Sequence, residues 1–237
     1  MRSELVRVVT TSRRIAAETV GTALLVAAVV GSGIMAQQLA RDPAVALLAN
    51  TLATGGALVA ILLVFGPISG AQLNPAVTLC MAATKDLTPR LATCYIIAQI
   101  VGGIAGAIAA NAMFDLPLVT WSEHVRAGFP QLLSEGIATF GLIGVVIAVG
   151  RTRSGVTPFA VAAYIVAAYW FTASTSFANP AVAIGRAFSN TYAGIRPADL
   201  GGFIVAQLAG AAIGGVFFTW LVPVRDQPTG AASRQER

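Results

Sequence analysis

The chain is short of charge. Of its 237 residues only 11% are Asp, Glu, Lys or Arg, against 56% hydrophobic, and mean hydropathy is +0.77. Soluble domains carry about a quarter charged residues, so a water-soluble fold is excluded. Histidine and cysteine are nearly absent: His124 stands alone, and the cysteines are Cys80 and Cys94. A lone loop histidine cannot complete a metal site, and two thiols in or beside apolar segments imply no disulfide framework. No nucleophile, base or metal cluster sits in the apolar segments, so an enzyme is excluded and no cofactor or metal is expected. There is no basic run either. The net charge of +5 comes from arginines spread over separate segments, which excludes a nucleic-acid partner.

What is present is length of apolar sequence. Six stretches of about 20 residues, the span a hydrocarbon core demands, run at about 15–37, 44–66, 90–113, 130–150, 157–173 and 199–222. Two more, at about 75–84 and 180–189, are too short to cross and suit re-entrant half-helices, which are tolerated where protein or a water-filled cavity surrounds them. The fold class expected is therefore an all-α membrane protein of six spans and two half-helices. The first span is too long for a signal peptide's apolar core and contains Glu18, so it reads as a retained helix. With a cytoplasmic N-terminus, the inner side holds Arg2, Arg7, Arg13, Arg14, Lys85, Arg90, Arg151, Arg153, Arg225, Arg234 and Arg237, and the outer side only Arg41, Arg126, Arg186 and Arg196. That bias places both termini inside. The expected divisions are a cytoplasmic segment at 1–13, a channel domain at 14–222 and a cytoplasmic tail at 223–237 in a bilayer-embedded chain of the cell membrane.

The chain also repeats itself. Asn74-Pro75-Ala76-Val77 is echoed by Asn179-Pro180-Ala181-Val182, Glu18 by Glu135, and Gln99 followed by Gly102 and Gly106 by Gln207 followed by Gly210 and Gly214. Repeat one covers about 14–114 and repeat two about 129–222. Three spans per repeat is an odd number, so the second enters the membrane from the opposite side. Each Asn-Pro-Ala reads as a helix start, with Asn as N-cap and Pro where no helical hydrogen bond is lost. Two such starts inside the membrane aim their positive ends at one central point. The paired glycines let helices approach closely. A carboxylate in the membrane costs about 2.5–3.5 kcal/mol, so Glu18 and Glu135 need partners. A proton relay is one role. The preferred one is anchoring, each carboxylate accepting hydrogen bonds from the non-helical backbone that leads into a half-helix.

The run Ile68-Ser69-Gly70-Ala71-Gln72-Leu73-Asn74-Pro75-Ala76-Val77-Thr78 and the run Phe177-Ala178-Asn179-Pro180-Ala181 resemble the two signature loops of the aquaporin, or major intrinsic protein, family. The resemblance implies a homotetramer with one pore per subunit, passing water or small neutral solutes down their gradients. Gln72 departs from the histidine the family often has there, and Val182 departs from the arginine that usually follows the second triplet and helps form the narrowest ring. Counting by the family's spacing from each Asn, that ring is expected at Thr54, Ala167, Ser176 and Val182, four small residues. Water-selective members carry an aromatic and a histidine there, and glycerol channels carry aromatics with the arginine, so this filter is expected to be wider than either. Two roles are open for Arg186, one turn beyond Val182: a cation restored to the outer pore, or a side chain that snorkels to the interface. Phe177 is the aromatic that a one-residue shift would bring into the ring.

Two half-helix ends of about +0.5 charge each repel a monovalent cation roughly 8 Å away by on the order of 2 kcal/mol at a dielectric of 20. Ions are therefore expected to stay excluded without an arginine at 182. The missing arginine, the small ring and the run from Thr172 to Val182 resemble bacterial aquaglyceroporins associated with arsenic resistance. That resemblance implies arsenite, methylarsenicals and polyols such as glycerol as solutes. The alternatives are an ordinary water or glycerol channel and, more remotely, a junctional or structural membrane protein.

Overall fold

Prolines and short polar side chains decide where the helices start. The computed structural model describes residues 9–223, which are helical with no strand among them. Eight α-helices follow in order: α1 Thr11–Leu39, α2 Pro43–Ser69, α3 Pro75–Ala83, α4 Pro89–Met113, α5 Phe129–Arg153, α6 Thr157–Phe171, α7 Pro180–Arg186 and α8 Leu200–Leu221. Asp42 caps α2 by accepting from Ala44 N at 2.7 Å, and Thr88 caps α4 by accepting from Leu91 N at 3.4 Å. Proline occupies one of the first two positions of α2, α3, α4, α5, α6 and α7, where its missing N–H has no helical partner to lose. Gly70, at φ 90°, ends α2 in the left-handed conformation.

Six helices are the spans and α3 and α7 are the two half-helices, so the all-α class with six spans and two re-entrant helices holds. Five apolar stretches are long enough to cross a membrane, and the longest, Phe129–Phe171, is α5 and α6 joined through the 3₁₀ turn Ser154–Val156. With 15 residues, α6 rises only about 22 Å at 1.5 Å per residue. It is followed by non-helical chain at 172–178. Arg2, Arg7, Arg225, Arg234, Arg237 and most of the two terminal segments lie outside the described residues.

The repeats are visible as packing. In the first, α1 lies on α4, and in the second, α5 lies on α8. A Cβ on Gly102 would stand 2.3 Å from the Thr19 carbonyl oxygen, and one on Gly106 2.2 Å from that of Ala23. A Cβ on Gly210 would likewise meet the Gly136 oxygen at 2.2 Å, and one on Gly214 the Phe140 oxygen at 2.9 Å. These helices touch backbone to side-chain-free backbone, which is how apolar helices associate when lipid is as apolar as their own side chains. The outward faces carry large apolar residues such as Leu52, Ile97, Val205, Val216 and Trp220, all exposed.

Gly106→Ala should therefore force α1 and α4 apart and cost about 1–3 kcal/mol, the range for overpacking. Gly56→Ala, where an added Cβ meets nothing within 4 Å, should be neutral or gain up to about 1 kcal/mol of helix propensity. Thermal unfolding in detergent compares the two.

Candidate functional site

The chain between α2 and α3 and the chain between α6 and α7 adopt backbone that non-glycine residues rarely take. Ala71 and Leu73 have φ of 43° and 50°, and Thr175, Ser176 and Ala178 have φ of 60°, 49° and 47°. Each such residue costs about 1–3 kcal/mol unless its surroundings enforce it. Two carboxylates do so. Glu18 Oε1 accepts from Gln72 N at 3.0 Å and Ser69 Oγ at 2.6 Å, and Oε2 from Leu73 N at 2.7 Å and Gln99 Nε2 at 2.8 Å. Glu135 Oε1 accepts from Phe177 N at 2.9 Å, and Oε2 from Ala178 N at 2.8 Å and Gln207 Nε2 at 2.6 Å. Both glutamates are fully buried, and every contact is to a donor. That is the environment of an anchoring carboxylate.

The two loops then close on each other. Asn74 Oδ1 accepts from Ala76 N at 2.9 Å, and Asn179 Oδ1 from Ala181 N at 3.0 Å and Val182 N at 3.3 Å, so both cap their half-helices. Their amide nitrogens cross over: Asn74 Nδ2 donates to Ala178 O at 2.7 Å, and Asn179 Nδ2 to Leu73 O at 2.8 Å. A side-chain amide has two N–H donors, so each asparagine keeps one that no described residue accepts. Pro75, Ala76, Pro180 and Ala181, all buried, begin the two half-helices behind them.

One cavity of about 710 Å³ passes these asparagines. It is lined at one end by Met81, Ser154, Thr157 and Pro158, and at the other by Thr54, Tyr169, Ser176, Phe177, Val182 and Arg186. The expectation for Ala167 needs correction. Ala167 is exposed on the outer face of α6 and does not line the cavity. The residues of α6 that do are Thr157, Pro158, Val161, Ile165 and Tyr169, the last four a stripe with helical spacing, and Ala167 lies about 200° around the helix from either of the last two. A count of twelve residues back from Asn179 falls two residues before Tyr169, on the other side of the helix. Tyr169 replaces an alanine with a large aromatic, and its hydroxyl lies 3.3 Å from Thr54 Oγ1. The cavity wall beside Thr54 is thus not made of small residues alone. The i, i+4 stripe running back from Tyr169 was the sequence signal that would have found it.

Ser176 is 2% exposed, and its Oγ has no partner among the described residues. Arg186 is buried, not at the lipid interface. Its Nε donates to Ala193 O and its guanidinium carbon lies 3.3 Å from the Phe177 ring centroid. Among the described residues its terminal nitrogens make no hydrogen bond, and it has no acidic partner, the one ion pair being Arg196–Asp199 at 2.8 Å. Partial burial, followed by the charges of Arg126 and Arg186, lowers the pKa of loop residue His124. Asp199 accepts from the Arg196 side chain at 2.8 Å and from the Arg126 backbone N–H at 2.9 Å. Both cysteines are free.

An inverted repeat of membrane helices, with two capped half-helices meeting beside a continuous cavity, defines a solute-channel architecture. The comparisons agree. Residues 5–174 match the model of the major intrinsic protein family. The chain is 53% identical over 224 residues to the aquaglyceroporin AqpS of Rhizobium meliloti (strain 1021), covering 94% of each chain. It is 31% identical to aquaporin Z of Bradyrhizobium diazoefficiens, covering 93% of this chain and 97% of that one. The X-ray structure of the aquaglyceroporin from Plasmodium falciparum superposes with a TM-score of 0.70 over 88% of this chain and 96% of that one, at 18% identity, a likeness of fold. The chain belongs to the major intrinsic protein family: it is an integral membrane channel, not an enzyme.

Glu135→Gln should weaken the charge-assisted hydrogen bonds to Phe177 and Ala178, lowering stability by about 1.5–3 kcal/mol while flux per folded channel changes little. A large flux loss at unchanged melting temperature would instead indicate a relay. Asn179→Asp should remove the donor to Leu73 O and place a carboxylate in the cavity, so that sodium leaks through in liposome flux assays where the parent remains tight.

Proposed function

We propose that this chain is a passive channel for small neutral solutes, with arsenite, methylarsenicals and polyols as its most characteristic cargo and water passing as well. The observation that carries the reading is Val182. It lies on the cavity wall where an arginine would reach across it. Around it, Thr54, Tyr169 and Ser176 supply three hydroxyls, one of them unpartnered. Three hydroxyls against an aliphatic wall suit solutes that carry several hydroxyls and an apolar side, which is the chemistry of glycerol and of uncharged arsenic acids. The name of the 53% identical relative, an aquaglyceroporin, supports the polyol part of the reading.

A second reading, an ordinary glycerol channel, is favoured by Tyr169 and Arg186. Together they return an aromatic and an arginine to the pathway, the arginine one helical turn from its usual place. In either case we place both termini in the cytoplasm, which makes the Arg186 mouth the outer one, and the working form as a homotetramer in the cell membrane. The half-helix ends and Arg186 then exclude cations.

Val182→Arg should cut the flux of arsenite, methylarsenicals and glycerol by about tenfold or more, equivalent to ~1.4 kcal/mol of barrier, and spare water. Tyr169→Ala should raise the flux of the larger solutes and lower their discrimination. Stopped-flow measurements on liposomes at matched channel density decide. Glycerol flux without arsenite flux in the parent selects the second reading, and unchanged flux in both variants refutes the ring.

A further inference from the structure

Arg126 lies in the segment joining α4 to α5, remote in sequence from both half-helices, yet only 7% of it is exposed. Its side chain is held by backbone carbonyls alone. Nε donates to Gly194 O at 2.8 Å, Nη1 to Ser174 O at 3.1 Å and Nη2 to Tyr192 O at 3.5 Å, while its backbone N–H donates to Asp199 Oδ2 at 2.9 Å. The guanidinium carbon stands over the Phe177 ring, 4.9 Å from its centroid. Arg186 uses the neighbouring carbonyl, Ala193 O, and the same ring. Two buried guanidiniums thus share one aromatic ring and one stretch of backbone, and among the described residues no carboxylate bridges either. Burying charge is costly, and Arg126 offsets it by spreading its fork over three carbonyls, more than the two N–H groups of a neutral amide could serve.

We propose that Arg126 is a positioning residue of the pore. It ties the turn at Ser174, the backbone at Tyr192–Gly194 and the Phe177 ring into one frame, and its like charge disfavours retreat of Arg186 from the cavity. The Arg186 terminal N–H groups are thereby kept on the cavity wall, where they restrict solutes larger than water. The proposal rests on the reading of Arg186 as the cation of that mouth. Its test uses glycerol and water, so it is independent of whether arsenite passes.

The experiment is a cycle measured by stopped-flow on liposomes containing the full chain. Arg186→Met should raise the glycerol-to-water permeability ratio about threefold, and Arg126→Lys, which keeps the charge but loses the fork, should give the same rise. In the Arg186→Met background Arg126→Lys should add nothing, a non-additivity that loss of channels cannot mimic because the ratio is independent of their number. Asp199→Asn, which loosens the anchor on the Arg126 backbone, serves as the second route and should shift the ratio in the same direction. An unchanged ratio in Arg126→Lys, or an effect that persists undiminished without Arg186, overturns the proposal. So does failure of both Arg126→Lys and Asp199→Asn to assemble, which would make Arg126 part of the scaffold only. An unchanged ratio in Arg186→Met refutes the underlying reading of that residue instead.

Discussion

Two buried carboxylates hold the pore open. A half-helix that begins in mid-membrane must be fed by backbone that is neither helix nor strand, and in a bilayer every N–H of such backbone needs an acceptor. Glu18 supplies acceptors to Gln72 and Leu73, and Glu135 to Phe177 and Ala178. An ionised carboxylate is a better partner than any neutral side chain, because its charge-assisted bonds offset its own burial as well as the strained φ values around it. Without them the asparagines would not meet. Gln99 and Gln207 complete each cluster from α4 and α8, so the glycine contacts that seat those helices on α1 and α5 also seat the glutamate's last donor.

The symmetry reaches the centre of the pathway and stops there. Asn74 and Asn179 exchange hydrogen bonds with the opposite loop, so neither half-helix is positioned by its own repeat alone. Beyond them the ends of the cavity differ. Met81 and Leu62 line one end without charge, whereas the other has Arg186 on its wall and Arg126 behind Phe177. This asymmetry lies in the loops, which duplication leaves freer to diverge than packed helices. It places two guanidiniums at a single mouth, both against the Phe177 ring.

The spans, the half-helices and the asparagine caps could be read locally, because span length, proline position and capping chemistry each depend on a few adjacent residues. Duplication of Glu18 as Glu135 likewise pointed to an anchoring role before any contact was known. Tyr169 is legible only as the end of the stripe Val161, Ile165, Tyr169, because a fixed count back from Asn179 carries no information on how α6 is rotated about its axis. Arg126 and the crossed asparagine bonds left no signal at all.

The sequence by itself determined the class: enough apolar length to span, an odd number of spans per repeat, and two helix starts that have to face each other. Tertiary structure alone decided which residues line the cavity. A helix's rotation about its axis, and the path of a loop over the mouth, follow from packing between segments tens of residues apart. Local propensity does not encode them, and so Ala167 faces outward, Tyr169 meets Thr54, and Arg126 reaches the ring against which Arg186 rests.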